Sequence, residues 1–283
     1  MPADAAPAGM ARGLWVFSRP NDDPGKILAV AVTLCLVCSV LVAAAATGVR
    51  RGARVVVALP YEGPLREVTA GRVAVLEPRL RVPDEFALCR FLAAGLATLQ
   101  RVDPAVRIDL AALADELDAE ALRNSVGREL FTNAAKMLAE RMSGHSVVLA
   151  GDNPATLTLA RHACATLLRV GHLVSAAAGL ADVLAALRSG AGAQLDDAAD
   201  LFHDEELDGP RPQRWRQFVL TLSAERPTVA NRVAGHHDVV LVGAEDVPDV
   251  SAVPVAIGRA EQQLATLAVR LEMAAVYLRL VRG

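Results

Sequence analysis

Between residues 201 and 210 the chain reads Leu201-Phe-His-Asp-Glu-Glu-Leu-Asp-Gly-Pro210, with one imidazole and four carboxylates in ten residues. Imidazole and carboxylate are the groups that most often take up and return protons at neutral pH, so His203 and Glu205 are candidates for general acid–base chemistry. A solvated acidic loop would give the same letters. The stretch falls between an expected helix and an expected strand, where an α/β scaffold usually carries its reactive groups.

A second candidate is Gly151-Asp-Asn-Pro154, which follows an apolar run and opens a helical pattern. Asn153 suits the cap and Pro154 the first helical position, and the amides of Gly151, Asp152 and Asn153 at such a turn could receive an anion. The bland alternative is a plain capped turn. The Gly-x-Gly-x-x-Gly spacing and a Walker lysine are both missing, which argues against a nucleotide. His162 and His172 lie on or beside apolar segments and read as structural histidines. His236-His237 have no further ligand at metal-site spacing, so neither a metal nor a cofactor is expected.

These groups need a scaffold, and composition supplies one. The chain has 283 residues, 53% of them hydrophobic, enough for one large or two ordinary domains. Its 29 basic and 32 acidic residues give a formal charge of -3, which argues against binding of nucleic acid by phosphate neutralisation. Cys35, Cys38, Cys89 and Cys164 are too few and too scattered for a disulfide framework and fit a reducing cytoplasm. Cys35-x-x-Cys38 sits inside an apolar run with no second pair, so it reads as two small apolar residues.

Strand-like runs at Arg54–Leu59, Val73–Leu76, Ser146–Ala150, His172–Ser175, Gln217–Leu222, Asp238–Val242 and Val253–Ile257 alternate with helical patterns. The helices are expected from Pro83, over 108–142 with a break near Asn124–Gly127, after Pro154, over 178–188, over 227–234 and from Arg259 to Val281. Five strands from Ser146 onward make a whole doubly wound parallel sheet, whereas residues 50–80 hold only part of one. The expected organisation is a flexible 1–25, an apolar helix over 26–50, a partial first subdomain over 51–143 and a complete second subdomain over 144–283.

From Ile27 to Val49 no residue is charged. As one helix this run would extend about 35 Å, enough to cross a hydrocarbon layer of about 30 Å. Three readings stay open: a membrane span, a buried element leading into the strand at Arg54, and a secretory signal. The basic residues flanking it, Arg12, Arg19 and Lys26 before and Arg50, Arg51 and Arg54 behind, give no clear orientation.

Several segments in order carry a resemblance over about four-fifths of the chain. They are Arg51-Gly-Ala-Arg-Val-Val-Val-Ala58, Asn133-Ala-Ala-Lys136, Phe202-His-Asp-Glu205, Glu225-Arg-Pro227 and Ala275-Val-Tyr-Leu-Arg-Leu-Val-Arg-Gly283. From about Ala43 to the end the sequence resembles the SIS-domain proteins related to bifunctional phosphoglucose/phosphomannose isomerase, in a divergent TobH-like branch. The resemblance implies a SIS-type α/β fold with the second subdomain complete and the first truncated. It also implies metal-free aldose–ketose isomerisation of glucose 6-phosphate or mannose 6-phosphate to fructose 6-phosphate. Phe202-His-Asp-Glu205 stands where that family has Asn-His-Asn-Glu, which implies Glu205 as the base and His203 as its neighbour. Lys136, Gly151, Asp152, Asn153 and Arg226 are the expected sugar-phosphate contacts, and a homodimer is expected. Arg226 replaces a histidine that the family often carries. The family's Gly-Gly-Ser turn and Ser/Thr-rich phosphate loop have no counterpart here; Ser18 is at best a remnant.

A second, local resemblance covers Asn21-Asp-Asp, Lys26 and Leu34-Cys-Leu-Val-Cys-Ser-Val-Leu-Val-Ala43. These residues are similar to the membrane anchor of a flavin-carrying subunit of the sodium-pumping NADH:quinone reductase, which implies an anchor in the inner membrane through residues 27–49. It does not imply a flavoprotein, since Ser189-Gly-Ala-Gly-Ala193 has no threonine to accept the flavin phosphate. The sequence therefore leads to a phosphosugar isomerase with a cytoplasmic globular domain. The alternatives are a non-catalytic, membrane-anchored sugar-phosphate sensor or scaffold and a respiratory-complex subunit.

Overall fold

A computed structural model describes residues 12–17, 33–35, 38–58, 61–77, 79–80, 82–190, 215–236, 238–248 and 258–282. The chain divides into two compact units, Met1–Ala112 and Leu113–Gly283.

In the first unit the strands are β1 (Arg12–Phe17), β2 (Thr33–Cys35), β3 (Arg54–Val57) and β4 (Val73–Val75), in the sheet order β2-β1-β3-β4. β1 runs antiparallel to both β2 and β3, while β3 and β4 are parallel and joined through α2 (Gly63–Thr69). Val55 and Val57 of β3 are buried with Ala45 and Val49 of α1 (Cys38–Arg50), Leu65 of α2 and Phe91 of α3 (Leu88–Val102). The alternation of exposed Arg54 with buried Val55 and Val57 is the period of a strand covered mainly on one face.

Two expectations change in this unit. Two strands precede Arg54, and one of them lies in a stretch expected to be flexible. The uncharged run Ile27–Val49 is not one helix: it contains β2, and α1 begins only at Cys38. Thirteen residues of helix extend about 20 Å, short of a bilayer core. Among the described residues no helix is long and apolar enough to cross a membrane. Among the described residues the resemblance to the quinone reductase anchor therefore finds no membrane helix to support it.

The second unit holds α4 (Leu110–Arg123), α5 (Ala134–Met142), α6 (Pro154–Arg169), α7 (Leu180–Arg188), α8 (Arg226–Val233) and α9 (Ala260–Arg282). Its strands are β5 (Ser146–Gly151), β6 (Ser175–Gly179), β7 (Trp215–Leu220) and β8 (Val239–Val242), all parallel in the order β6-β5-β7-β8. Ala150 and Val219 bury one face against Leu180, Val183 and Leu184 of α7 and Val229 and Val233 of α8. α6 covers the opposite face, because a Cβ on Gly151 would lie 2.3 Å from the amide nitrogen of Leu157. Leu149, Phe218 and Leu220 are fully buried on that side. Helices on both faces of a parallel sheet explain why these strands read as continuous apolar runs.

β6 lies three residues later than the sequence suggests. His172 adopts a left-handed turn (φ 50°) and the strand is Ser-Ala-Ala-Ala-Gly, paired with Val147–Gly151. The expected strand Val253–Ile257 lies outside the described residues.

A buried polar centre ties the unit together. Arg270 of α9, 1% exposed, donates from Nε to Glu120 Oε1 (2.7 Å) and from Nη2 to Glu120 Oε2 (3.3 Å). Its remaining N–H groups reach the carbonyls of Gly243 (2.8 Å), Ala244 (3.0 Å) and Asp246 (3.2 Å). Asn124 Nδ2 donates to the same carboxylate at 2.6 Å. A guanidinium this deeply buried is tolerated because its donors are met.

Candidate functional site

In the order β6-β5-β7-β8 the chain leaves β5 in one direction and later passes β5 to reach β7. The crevice outside the carboxyl ends of β5 and β7 is thus the switch point at which open α/β sheets bind ligands. Two turns form it: Gly151-Asp152-Asn153 leading into α6, and Thr221–Glu225 leading into α8. Asn153 Nδ2 donates to Glu225 Oε2 over 2.7 Å and ties the two turns together.

Local chemistry fixes Asn153. Its Oδ1 accepts from the amides of Ala155 and Thr156, both at 2.9 Å, while the Asn153 amide donates to Thr156 Oγ1 at 3.2 Å. That reciprocal capping box, with Pro154 in the first turn, is the start expected from the sequence. It also uses the first-turn donors of α6. Pro154 has no N–H, Ala155 and Thr156 give theirs to Asn153, and Leu157 gives its amide to the Asn153 carbonyl. Gly151 is required for close approach of β5 to α6, since a Cβ there meets backbone.

The charged members of the expected set are engaged elsewhere. Asp152 pairs with Arg232 of α8. Arg226 donates from Nη1 to Glu245 Oε1 (3.0 Å) and from Nη2 to Asp246 Oδ1 (2.8 Å). Burial opposes the Arg226 charge, but hydrogen bonds and attraction from Asp246 and Glu245 outweigh it and hold its pKa above the ordinary value. Lys136 donates from Nζ to the carbonyls of Val126 (2.9 Å) and Arg128 (2.6 Å), and its ammonium stands 5.4 Å from the Tyr277 ring centre. These contacts make Lys136 a brace for the turn before α5. His203 and Glu205 lie outside the described residues.

The structure therefore brings Gly151, Asp152 and Asn153 together at one edge of the sheet, puts Arg226 at the start of the helix that follows β7, and leaves Lys136 on α5. A cavity of about 330 Å³ lies along β8, lined among others by Met137, Leu138, Arg141, Val242 and Asp246; of the expected contacts only Arg226 reaches it.

Glu225 entered the sequence reading only as part of a motif. Its role at the crevice depends on a partner 72 residues earlier. Two histidines expected to be structural have partners: His162 Nε2 stands 2.9 Å from Glu272 Oε1 between α6 and α9, and His172 Nδ1 stands 3.1 Å from Arg279 Nη1. Thr221 Oγ1 and both side-chain polar atoms of Gln217 are buried on β7 and just beyond it, without a hydrogen-bond partner among the described residues.

No protein-family model and no curated protein sequence matches the chain. Among solved structures it is similar to a glucose-6-phosphate isomerase like protein from Thermus thermophilus. The identity is 19% over 75% of this chain and 67% of that one, with a TM-score of 0.49. That likeness is too loose to identify a fold family or a reaction.

Proposed function

We propose that the chain is a SIS-type, phosphosugar-isomerase-like protein that binds a sugar phosphate at the carboxyl ends of β5 and β7. Its reaction is the interconversion of glucose 6-phosphate or mannose 6-phosphate with fructose 6-phosphate. Glu205 acts as the base that moves a proton between adjacent carbons through an enediol, and His203 assists beside it. The observation that carries the reading is the switch-point crevice itself, with two helix-opening turns joined by the Asn153–Glu225 hydrogen bond. The ordered segments resembling the isomerase family supply the reaction class. Turnover of either aldose phosphate by the intact chain, lost in Glu205→Gln, is the expected result; absence of turnover in the unaltered protein contradicts it.

One observation favours a second reading. With the first-turn amides of α6 capped and Arg226 and Arg232 both neutralised, the crevice offers no open cationic grip for a phosphate among the described residues. Such a protein would bind a sugar derivative as a sensor or scaffold without converting it, losing the remote binding energy that drives catalysis. Ligand-dependent stabilisation without turnover would select this reading over the first.

A further inference from the structure

We propose that the cavity between α5 and β8 binds a small amphipathic monocarboxylate, held at its carboxylate by Arg141 and along its body by apolar walls. The site is separate from the crevice at β5 and β7 and does not depend on what binds there. The cavity has a volume of about 330 Å³. Small-molecule sites usually occupy about 300–1,000 Å³. One wall is a single face of α5, on which Met137, Leu138 and Arg141 follow one another at helical spacing. The other wall is β8, through Val240 and Val242, with the turn beyond it at Val247. β8 is the last strand in the order β6-β5-β7-β8 among the described residues. Its Val240 and Leu241 stay half-buried, whereas their partners in β7, Phe218 and Val219, are fully buried. Apolar surface at the cavity is thus left only partly covered, and an apolar ligand body would complete its burial.

Charge along the cavity is uneven. At the carboxyl end of β8, Arg226 holds Asp246 through both Nη atoms at 2.9 and 2.8 Å, and Arg270 is paired with Glu120. Arg141 stands at the other end, since Arg216 near the start of β7 donates to its carbonyl at 3.1 Å. Arg141 is exposed, and its guanidinium has no hydrogen bond or ion pair among the described residues. One open guanidinium matches one negative charge, and its planar fork takes a carboxylate in two parallel hydrogen bonds. A phosphate dianion would need a second open cation, and the other two guanidinia on the cavity are neutralised.

The test uses the intact chain with octanoate as the probe and octanamide as its neutral counterpart, read by calorimetry. The expected result is one octanoate per chain, bound more tightly than octanamide, with hexanoate weaker by about tenfold for the loss of two CH2 groups. Arg141→Gln should weaken octanoate roughly fivefold or more and leave octanamide unchanged, with partial recovery in Arg141→Lys. An unchanged melting temperature in both variants would record that the fold is intact. Val240→Phe fills the cavity and should weaken acid and amide alike. Octanamide bound as tightly as octanoate overturns the role of Arg141, and binding untouched by either substitution overturns the site. Competition by glucose 6-phosphate would merge the cavity with the sugar site and overturn its independence. If the unaltered protein does not bind octanoate, the proposal fails. Self-association abolished by Val240→Phe would then give the cavity to a second copy, and octanoate binding gained on Val253→Ser with Ile257→Ser would give it to the chain's own residues 249–257.

Discussion

Asn153 and Glu225 are 72 residues apart in sequence and 2.7 Å apart in space, and their bond closes the mouth between the turns after β5 and β7. Replacing Asn153 with alanine removes both that bond and the cap of α6. A lost cap costs about 1 kcal/mol. Chemical denaturation of Asn153→Ala should show a loss of that size or somewhat more, together with weaker sugar binding. Asn153→Asp should keep the cap but place a second carboxylate against Glu225, so stability should largely survive while binding falls.

Arg270 and Glu120 form a pair that is 1% exposed on both sides. Glu120→Leu leaves a buried guanidinium without its counter-charge and should destabilise the fold by about 3–5 kcal/mol. Adding Arg270→Met should restore much of that loss, because two apolar side chains remove the unpaired charge. A denaturation double-mutant cycle reads both effects.

Lys136 separates the brace from the binding role expected of it. Lys136→Met should lower stability by about 1 kcal/mol through loss of its carbonyl contacts, with ligand affinity unchanged. A loss of affinity for fructose 6-phosphate well beyond the change in stability would return Lys136 to the site.

Burial raises the pKa of the Cys164 thiol above its ordinary value. The folded state therefore holds the thiol proton more firmly than the unfolded state does. That contribution to stability is complete below the ordinary thiol range and is lost as pH rises through that range into the raised value. Native Cys164 should react slowly with a disulfide reagent at about pH 8, near the ordinary thiol range, and rapidly in denaturant. Cys164→Ala should flatten the alkaline fall in the melting temperature.

Much of the second unit was legible in the sequence because its signals are local. Asn153-Pro154 marks a helix start whatever surrounds it, and the valine-rich runs of β5 and β8 and the Phe218-Val219-Leu220 end of β7 suit strands covered on both faces. β6 was misplaced because Ala176-Ala177-Ala178 favours a helix, and pairing with β5 overrides that preference. Arg12–Phe17 was missed because its strand character depends on β3, a distant partner in the sequence. At the site, the turn around Gly151 was readable. The neutralisation of Arg226 was not, since Glu245 and Asp246 come from a turn beyond β8.

Proton transfer is the central claim, and solvent exchange measures it most directly. Glucose 6-phosphate or fructose 6-phosphate is incubated in deuterated water with the intact chain, and deuterium at the carbon next to the carbonyl is followed by magnetic resonance. The account predicts incorporation by the unaltered protein and none by Glu205→Gln. No incorporation by the unaltered protein, or equal incorporation by both, would contradict it.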